Sequence, residues 1–131
     1  MIRGGVAVAS PEVWLGEDGI LRVDYGAFNV ITLAVVQSAY AQQRKISQEK
    51  LPVMIRGGGV GSVDYAAQRF ASGLEMCAVT AARGVLVSTT LEKHLCQMFL
   101  AYHQPPYPTK MFTTEVDAVS WLKTYVGVLT T

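Results

Sequence analysis

The last third of the chain constrains the fold most, because short apolar runs alternate there with helical patterns. Residues 84–88 form an apolar run, residues 91–102 repeat apolar side chains at helical spacing, and residues 110–112 form another short run. Residues 114–122 return to helical spacing, with Thr114 at the N-cap position of a capping box. Strands that alternate with helices predict an α/β protein whose neighbouring strands are parallel and joined by crossovers.

The first part of the chain adds an antiparallel start to this plan. Asp18-Gly19 is a strong turn signal between two partly alternating runs, and it predicts an opening β-hairpin. Thr32 is placed to cap a helix that runs to about Ile46 with its apolar side chains on one face. Residues 30–36 alone would also suit a strand, and periodicity does not separate the two alternatives.

The middle of the chain predicts a central strand followed by a helix. Residues 51–56 form a short apolar run, which we expect to be the strand. Residues 62–72 carry apolar side chains at helical spacing, with Ser62 as the N-cap and Asp64 in the first turn. Residues 74–82 are expected to continue this helix or to form a further helical piece. The whole pattern predicts a mixed sheet of about five strands with about four helices.

Composition limits the size of the protein and the classes of partner. The chain has 131 residues, of which 50% are hydrophobic and 16% charged, and its net charge is +1. We expect one domain over residues 1–131, with some apolar surface buried in a homodimer. No nucleic acid is expected as a partner, because no basic stripe is present. The densest basic cluster is interrupted by Glu49 and comprises Arg44, Lys45 and Lys50.

The pattern of polar residues predicts a cytoplasmic protein with no membrane insertion. Residues 25–43 carry no charge, but they are too polar for a membrane span. Their polar side chains include Asn29, Gln37, Ser38, Gln42 and Gln43. Cys77 and Cys96 lie far apart without a CxxC motif, which suits a reducing compartment and a role in the core. Two cysteines and two histidines at no zinc-binding spacing predict no metal site.

The glycine cluster at residues 57–61 does not match a nucleotide-binding motif. A Walker A sequence needs a lysine after its last glycine, and Ser62 follows Gly61 instead. The dinucleotide pattern fails as well, because Ser62 or Asp64 stands where its last glycine should be. We therefore expect no cofactor. A flexible turn is the first interpretation, and a weak site for an anion or a partner is the alternative.

From about Leu51 onward, the chain resembles the SpoIIAA-like branch of the STAS superfamily, the fold of anti-sigma-factor antagonists. The resemblance is carried by the strand at 52–56, the helix at 62–72, the strand at 84–88, the helix that ends at Tyr102, and residues 105–112 and 118–122. It implies a STAS-like fold and a non-enzymatic domain that binds partner proteins, nucleotides or, in related folds, lipids.

The resemblance also implies a regulatory serine. Many such antagonists are switched by phosphorylation at the start of the helix after the central strand, and Ser62 corresponds to that position. Gly59, Gly61 and Asp64 surround it as candidate contacts for an anion or a partner. The usual Asp-Ser-Ser-Gly motif is absent, since the chain reads Gly61-Ser62-Val63-Asp64, and capping of the helix is the simpler role for Ser62.

The remaining polar side chains do not form a catalytic pattern. His94 and His103 are nine residues apart, which places them on different faces of one helix. Neither cysteine has a recognisable base nearby, so we expect no enzymatic activity. Tyr107 lies between prolines, in Pro105-Pro106-Tyr107-Pro108. It is a candidate exposed contact, and packing over the last helix is the alternative.

Three functions remain open at this point. The first is a non-catalytic, STAS-like regulatory or protein-interaction module of a bacterium, with a regulatory protein as its partner. The second is a carrier of a small molecule or lipid, in an apolar groove between the sheet and the helix at residues 91–102. The third and least supported is an enzyme with its site at the turn that precedes Ser62.

Overall fold

A computed structural model describes residues 10–26, 28–57 and 60–127 of the protein. Its strands are β1 (Glu12–Leu15), β2 (Leu21–Asp24), β3 (Val30–Ile31), β4 (Leu51–Arg56), β5 (Ser62–Val63), β6 (Thr80–Leu86) and β7 (Thr109–Phe112). Its helices are α1 (Leu33–Ile46), α2 (Tyr65–Ala71), α3 (Leu74–Cys77), α4 (Thr90–His103) and α5 (Glu115–Lys123).

The five longer strands form one mixed sheet in the order β1-β2-β4-β6-β7. β1 is antiparallel to β2, whereas β2, β4, β6 and β7 run parallel to one another. The two-residue strands β3 and β5 pair in parallel away from this sheet. The predicted α/β class is therefore confirmed, with an antiparallel hairpin followed by parallel β-α units and β4 at the centre.

Local sequence signals explain where several elements begin. Gly19 adopts a φ of 84° in the hairpin turn, a conformation that glycine reaches without a steric cost. The Thr32 hydroxyl accepts a hydrogen bond from the Val35 backbone N–H at 3.3 Å, which confirms the predicted start of α1. The Thr114 hydroxyl likewise accepts from the backbone N–H of Asp117 at 3.2 Å. Each cap satisfies one of the unpaired donors at a helix start.

The sheet separates two hydrophobic clusters because successive side chains of a strand point to opposite faces. On one face, α5 packs on β4 and β6 through a cluster that contains Met54, Ala82 and Leu122. A Cβ on Gly84 would lie 3.1 Å from the Leu122 Cδ1 atom, so this helix approaches β6 closely. The opposite face holds the larger cluster, to which α1, α2 and α3 contribute.

Two predicted helix boundaries are wrong, both because of strand pairing between distant segments. The helix predicted at 62–72 begins only at Tyr65, since the Gly61 and Ser62 backbone N–H groups donate to the Asn29 carbonyl at 2.7 and 3.1 Å. The helical piece predicted at 74–82 ends at Cys77, and its last residues belong to β6. That strand lies between β4 and β7, so pairing on both sides overrides the helix propensity of its alanines.

Candidate functional site

A cavity of about 170 Å³ lies between the sheet and α4. It is on the sheet face opposite α5, below the point where α4 bridges α2 and β7. Most of its lining is apolar and includes Val36, Val63, Ala67, Val85, Leu95 and Phe99. Native interiors leave few voids larger than a water molecule, so a cavity of this size is a candidate binding site.

The cavity exists because α4 does not seal against the sheet. Within this 14-residue helix, the one buried residue is Glu92, although apolar side chains predominate. Leu95, Cys96 and Phe99 reach the cavity, while Leu91 and Met98 are exposed. The predicted apolar groove beside residues 91–102 therefore has a counterpart in the fold, formed by the inner face of α4.

Arg83 is the most unusual side chain in this cavity. It lies in the middle of β6 between Ala82 and Gly84, and strand alternation points it away from α5 and into the cavity. The residue is only 6% exposed, and its Nε atom has no hydrogen-bond partner among the described residues. Among the residues that the structure describes, no carboxylate forms an ion pair with Arg83.

Aromatic contact partly compensates this buried charge. The guanidinium carbon of Arg83 lies 4.9 Å from the centroid of the Tyr107 ring, within the range of a cation–π interaction. Such contacts contribute about 0.5–2 kcal/mol, whereas the burial of an unpaired ion costs several kcal/mol. The Arg83 guanidinium therefore has unused capacity to bind an anion.

The other polar groups around the cavity are neutral or already engaged. Burial raises the pKa of Tyr25 to about 12 and that of the Cys96 thiol to about 11, and the nearby charge of Arg83 opposes both shifts. Both groups are thus protonated at neutral pH. The carboxylate of Glu92 accepts hydrogen bonds from the Ser88 backbone N–H at 2.8 Å and hydroxyl at 3.1 Å. This carboxylate holds the start of α4 and does not pair with Arg83.

A hydrogen-bonded pair links α2 to the C-terminal end of α4. His103 Nε2 lies 3.0 Å from the Gln68 Oε1 atom, and Gln68 Nε2 donates to the Val63 carbonyl at 2.8 Å. Gln68 also lines the cavity. His94, by contrast, is exposed on α4. Among the described residues, no group of three His, Cys, Asp or Glu side chains is arranged to hold a metal ion.

The predicted contacts around Ser62 lie at the β3–β5 pair and not at a helix start. Ser62 is exposed in β5, so its predicted role as an N-cap is wrong. Asp64 takes the N-cap position of α2 without a side-chain hydrogen bond, and is not in the first turn. Gly61 is held by the backbone bond to Asn29, and Gly59 lies outside the described residues. Phosphorylation of Ser62 stays a prediction.

Tyr107 is buried, and the prediction of an exposed contact is wrong. Its hydroxyl donates to the Ala71 carbonyl at the C-terminal end of α2, while its ring contacts Arg83. Packing over the last helix is also wrong, because Tyr107 belongs to the cluster on the opposite face of the sheet from α5. The free carbonyl groups at the end of a helix attract a donor, which draws this tyrosine inward.

Sequence reasoning missed Arg83 altogether. A signal was present, since Arg83 is the one charged residue in the otherwise apolar run at residues 81–87. A charge within a central strand must find a partner or a ligand, because its burial alone is costly.

Together, these features define an α/β domain with an arginine-containing apolar cavity beneath one helix. The chain belongs to the family described as Domain of unknown function (DUF7793), whose model matches residues 13–126. It is also similar to a crystal structure of a protein with unknown function from Arthrobacter sp. FB24. That similarity has 26% identity and a TM-score of 0.32, and covers 85% of this chain and 97% of the other. No curated protein matches the sequence.

In the described part of the chain, no helix is both long enough and apolar enough to cross a membrane.

Proposed function

We propose that this protein is a non-catalytic binding module that holds a small apolar molecule between its sheet and α4. The cavity of about 170 Å³ is the observation that carries the proposal. Its size is close to that of an engineered cavity of ~150 Å³ that stays dry and binds benzene. A ligand of that size would contact the side chains that line the cavity, such as Val85 on β6 and Phe99 on the inner face of α4.

The chemistry of the cavity supports binding over catalysis. Cys96 lines the cavity, and burial raises the pKa of its thiol to about 11. A thiol that is protonated at neutral pH is a poor nucleophile. The Glu92 Oε1 atom accepts hydrogen bonds from the Ser88 backbone N–H and hydroxyl, so this oxygen holds the start of α4.

Titration of the ¹⁵N-labelled protein with benzyl alcohol, followed by NMR, tests the proposal. The probe is neutral, so its binding depends on the apolar cavity alone. We expect saturable shifts in the amide signals of β6 and α4. Val85→Phe fills the cavity and should abolish these shifts, whereas Val116→Phe makes the same change on the exposed side of α5 and should preserve them.

Two results would contradict this function. The first is the absence of saturable shifts in the wild-type protein. The second is equal binding by the Val85→Phe and Val116→Phe variants, which would place the probe outside the cavity. Circular dichroism spectra of both variants establish that neither substitution has unfolded the protein.

A second candidate function, the regulatory protein-interaction module, is favoured by the outer face of α4. Leu91, Met98 and Tyr102 are 50%, 55% and 71% exposed there. They lie at i, i+7 and i+11, so they form a single stripe along the helix. We propose that a second copy of the chain covers this stripe in a cytoplasmic homodimer. The SpoIIAA-like resemblance and the two free thiols, Cys77 and Cys96, support that setting.

Light scattering after size-exclusion chromatography tests the homodimer. The wild-type protein should elute with twice the mass of one chain, and Met98→Lys should shift it to the monomer. Val116→Lys places the same charge on the exposed surface of α5 and should leave the dimer intact. A monomeric wild-type protein, or a dimer that Met98→Lys does not affect, would refute this role for the stripe.

A further inference from the structure

We infer that the ligand of this cavity is a small monocarboxylic acid, with its apolar body beneath α4 and its carboxylate paired with the Arg83 guanidinium. The inference rests on the proposed binding function and adds the chemical class of the ligand. Two independent observations support it. One is the apolar cavity, and the other is the buried Arg83 side chain, which points into the cavity and has no hydrogen-bond partner for its Nε atom among the described residues.

The donors of the Arg83 guanidinium are the first feature that selects the ligand. A guanidinium presents five N–H donors and stays charged at any pH that a protein tolerates. Arg83 is only 6% exposed, and the face of Tyr107 is its aromatic contact. The face of the Tyr107 ring does not accept ordinary hydrogen bonds from these N–H donors. The planar fork of the guanidinium therefore remains available to a ligand. A carboxylate matches that fork with two parallel hydrogen bonds.

The charged side chains of the cavity favour a ligand with a single negative charge. Arg83 is the one cationic side chain among the described residues that line the cavity, and Glu92 is the one anionic side chain there. A singly charged acid would neutralise Arg83. A phosphate monoester would bring a second negative charge into a cavity that Glu92 also lines, without a second cation to balance it, so a carboxylate is favoured over a phosphate.

The size and polarity of the cavity favour a small apolar body for the ligand. A cavity of about 170 Å³ accommodates a body of roughly the size of a benzene ring. The lining beyond Arg83 is mostly apolar, with the Gln68 amide and the Thr109 hydroxyl at its edge. A sugar or an amino acid would leave several of its polar groups without partners in such a lining, which costs free energy. Benzoate combines the required charge with a body that fits.

The test compares benzoate with benzyl alcohol, which has the same ring but no charge. Both dissociation constants are measured by NMR titration at pH 7.5. We expect the wild-type protein to bind benzoate at least about tenfold more tightly, as an added charge-assisted hydrogen-bond pair predicts. Arg83→Met should weaken benzoate binding by about tenfold or more and leave benzyl alcohol within about threefold of its wild-type value.

Two further variants separate the charge from the fold. Arg83→Lys keeps the charge but loses the planar fork, so its affinity for benzoate should fall between those of the wild-type protein and Arg83→Met. Arg44→Met makes the same change as Arg83→Met at an exposed position on α1, and it should leave both affinities unchanged. The two-dimensional NMR spectrum of each variant reports whether it is folded.

The outcomes distinguish this inference from the proposed function. If benzyl alcohol binds in the cavity but benzoate binds no more tightly, the carboxylate inference is overturned and the binding function stands. The same conclusion follows if Arg83→Met leaves benzoate binding unchanged. If neither compound binds the wild-type protein, both the inference and the binding function are overturned.

Discussion

Replacement of Arg83 by methionine should stabilise the ligand-free protein, although most substitutions at buried positions destabilise. Arg83 is buried without an ion pair among the described residues, so the folded state bears the cost of removing its charge from water. Methionine is unbranched and flexible, and it can follow the path of the arginine stem along the apolar wall.

The size of this change in the free energy of unfolding follows from two opposing contributions. Replacement of a buried ion pair by apolar side chains of similar volume stabilises proteins by as much as about 1–4 kcal/mol, and we expect the same range for a buried arginine without an ion pair. Loss of the contact between the Arg83 guanidinium and the Tyr107 ring, at 4.9 Å, removes about 0.5–2 kcal/mol. We therefore expect a net gain of about 1–2 kcal/mol in the free energy of unfolding. In a domain of this size, that gain raises the melting temperature by roughly 3–6 °C.

Urea denaturation at pH 7 and differential scanning calorimetry measure this gain directly. Arg44→Met is the matched control, because Arg44 is exposed and its contacts with Tyr40 lie at the surface, so its replacement should lower the free energy of unfolding by no more than about 1 kcal/mol. Destabilisation of Arg83→Met by about 1 kcal/mol or more would refute the reasoning. That result would mean that the guanidinium is a satisfied structural group, with no capacity left for an anion.

Three further predictions concern caps, charges and thiols. Thr114→Ala should lower the free energy of unfolding by about 1 kcal/mol in urea, through loss of the α5 cap, whereas exposed Thr113→Ala should not. The Arg22 guanidinium holds the pKa of Asp18 at about 2, below its ordinary value of 3.8. The stability gained from this pair is thus present above about pH 4 and lost as the pH falls through about 2. Asp18→Asn should accordingly destabilise the protein at pH 7, and a difference from wild type that is as large at pH 2 as at pH 7 would contradict this origin. Burial raises the pKa of the Cys96 thiol to about 11, so its alkylation by iodoacetamide at pH 8, followed by mass spectrometry, should be slower than that of glutathione and slower still with benzoate. Equal rates with and without benzoate would place the acid elsewhere.

Signals that act over a few residues were read correctly from the sequence. The Asp18-Gly19 turn is fixed by the positive φ of Gly19 and by a hydrogen bond from the Ile20 backbone N–H to the Asp18 carboxylate at 3.1 Å. The caps at Thr32 and Thr114 involve atoms three residues apart. These contacts depend on neighbours in the chain, which is why the order of strands and helices could be predicted.

Contacts between distant segments account for what was missed. Ser62 has the right chemistry for a cap, but pairing with β3, about 30 residues earlier, draws it into a strand. Tyr107 is buried because its hydroxyl meets a carbonyl of Ala71, 36 residues away. The cavity could be anticipated only as a groove beside an unusually apolar helix. The burial of Arg83 follows from the packing of β6 between two other strands, beneath a helix that does not seal against them.

The most direct test of the account is a crystal structure of the protein with 4-bromobenzoate, in which anomalous scattering locates the bromine atom. The account predicts a bromine peak beneath α4 and carboxylate oxygens within about 3 Å of the Arg83 guanidinium nitrogens. A bromine peak against the exposed stripe of α4, or a carboxylate that points to solvent from within the cavity, would contradict it.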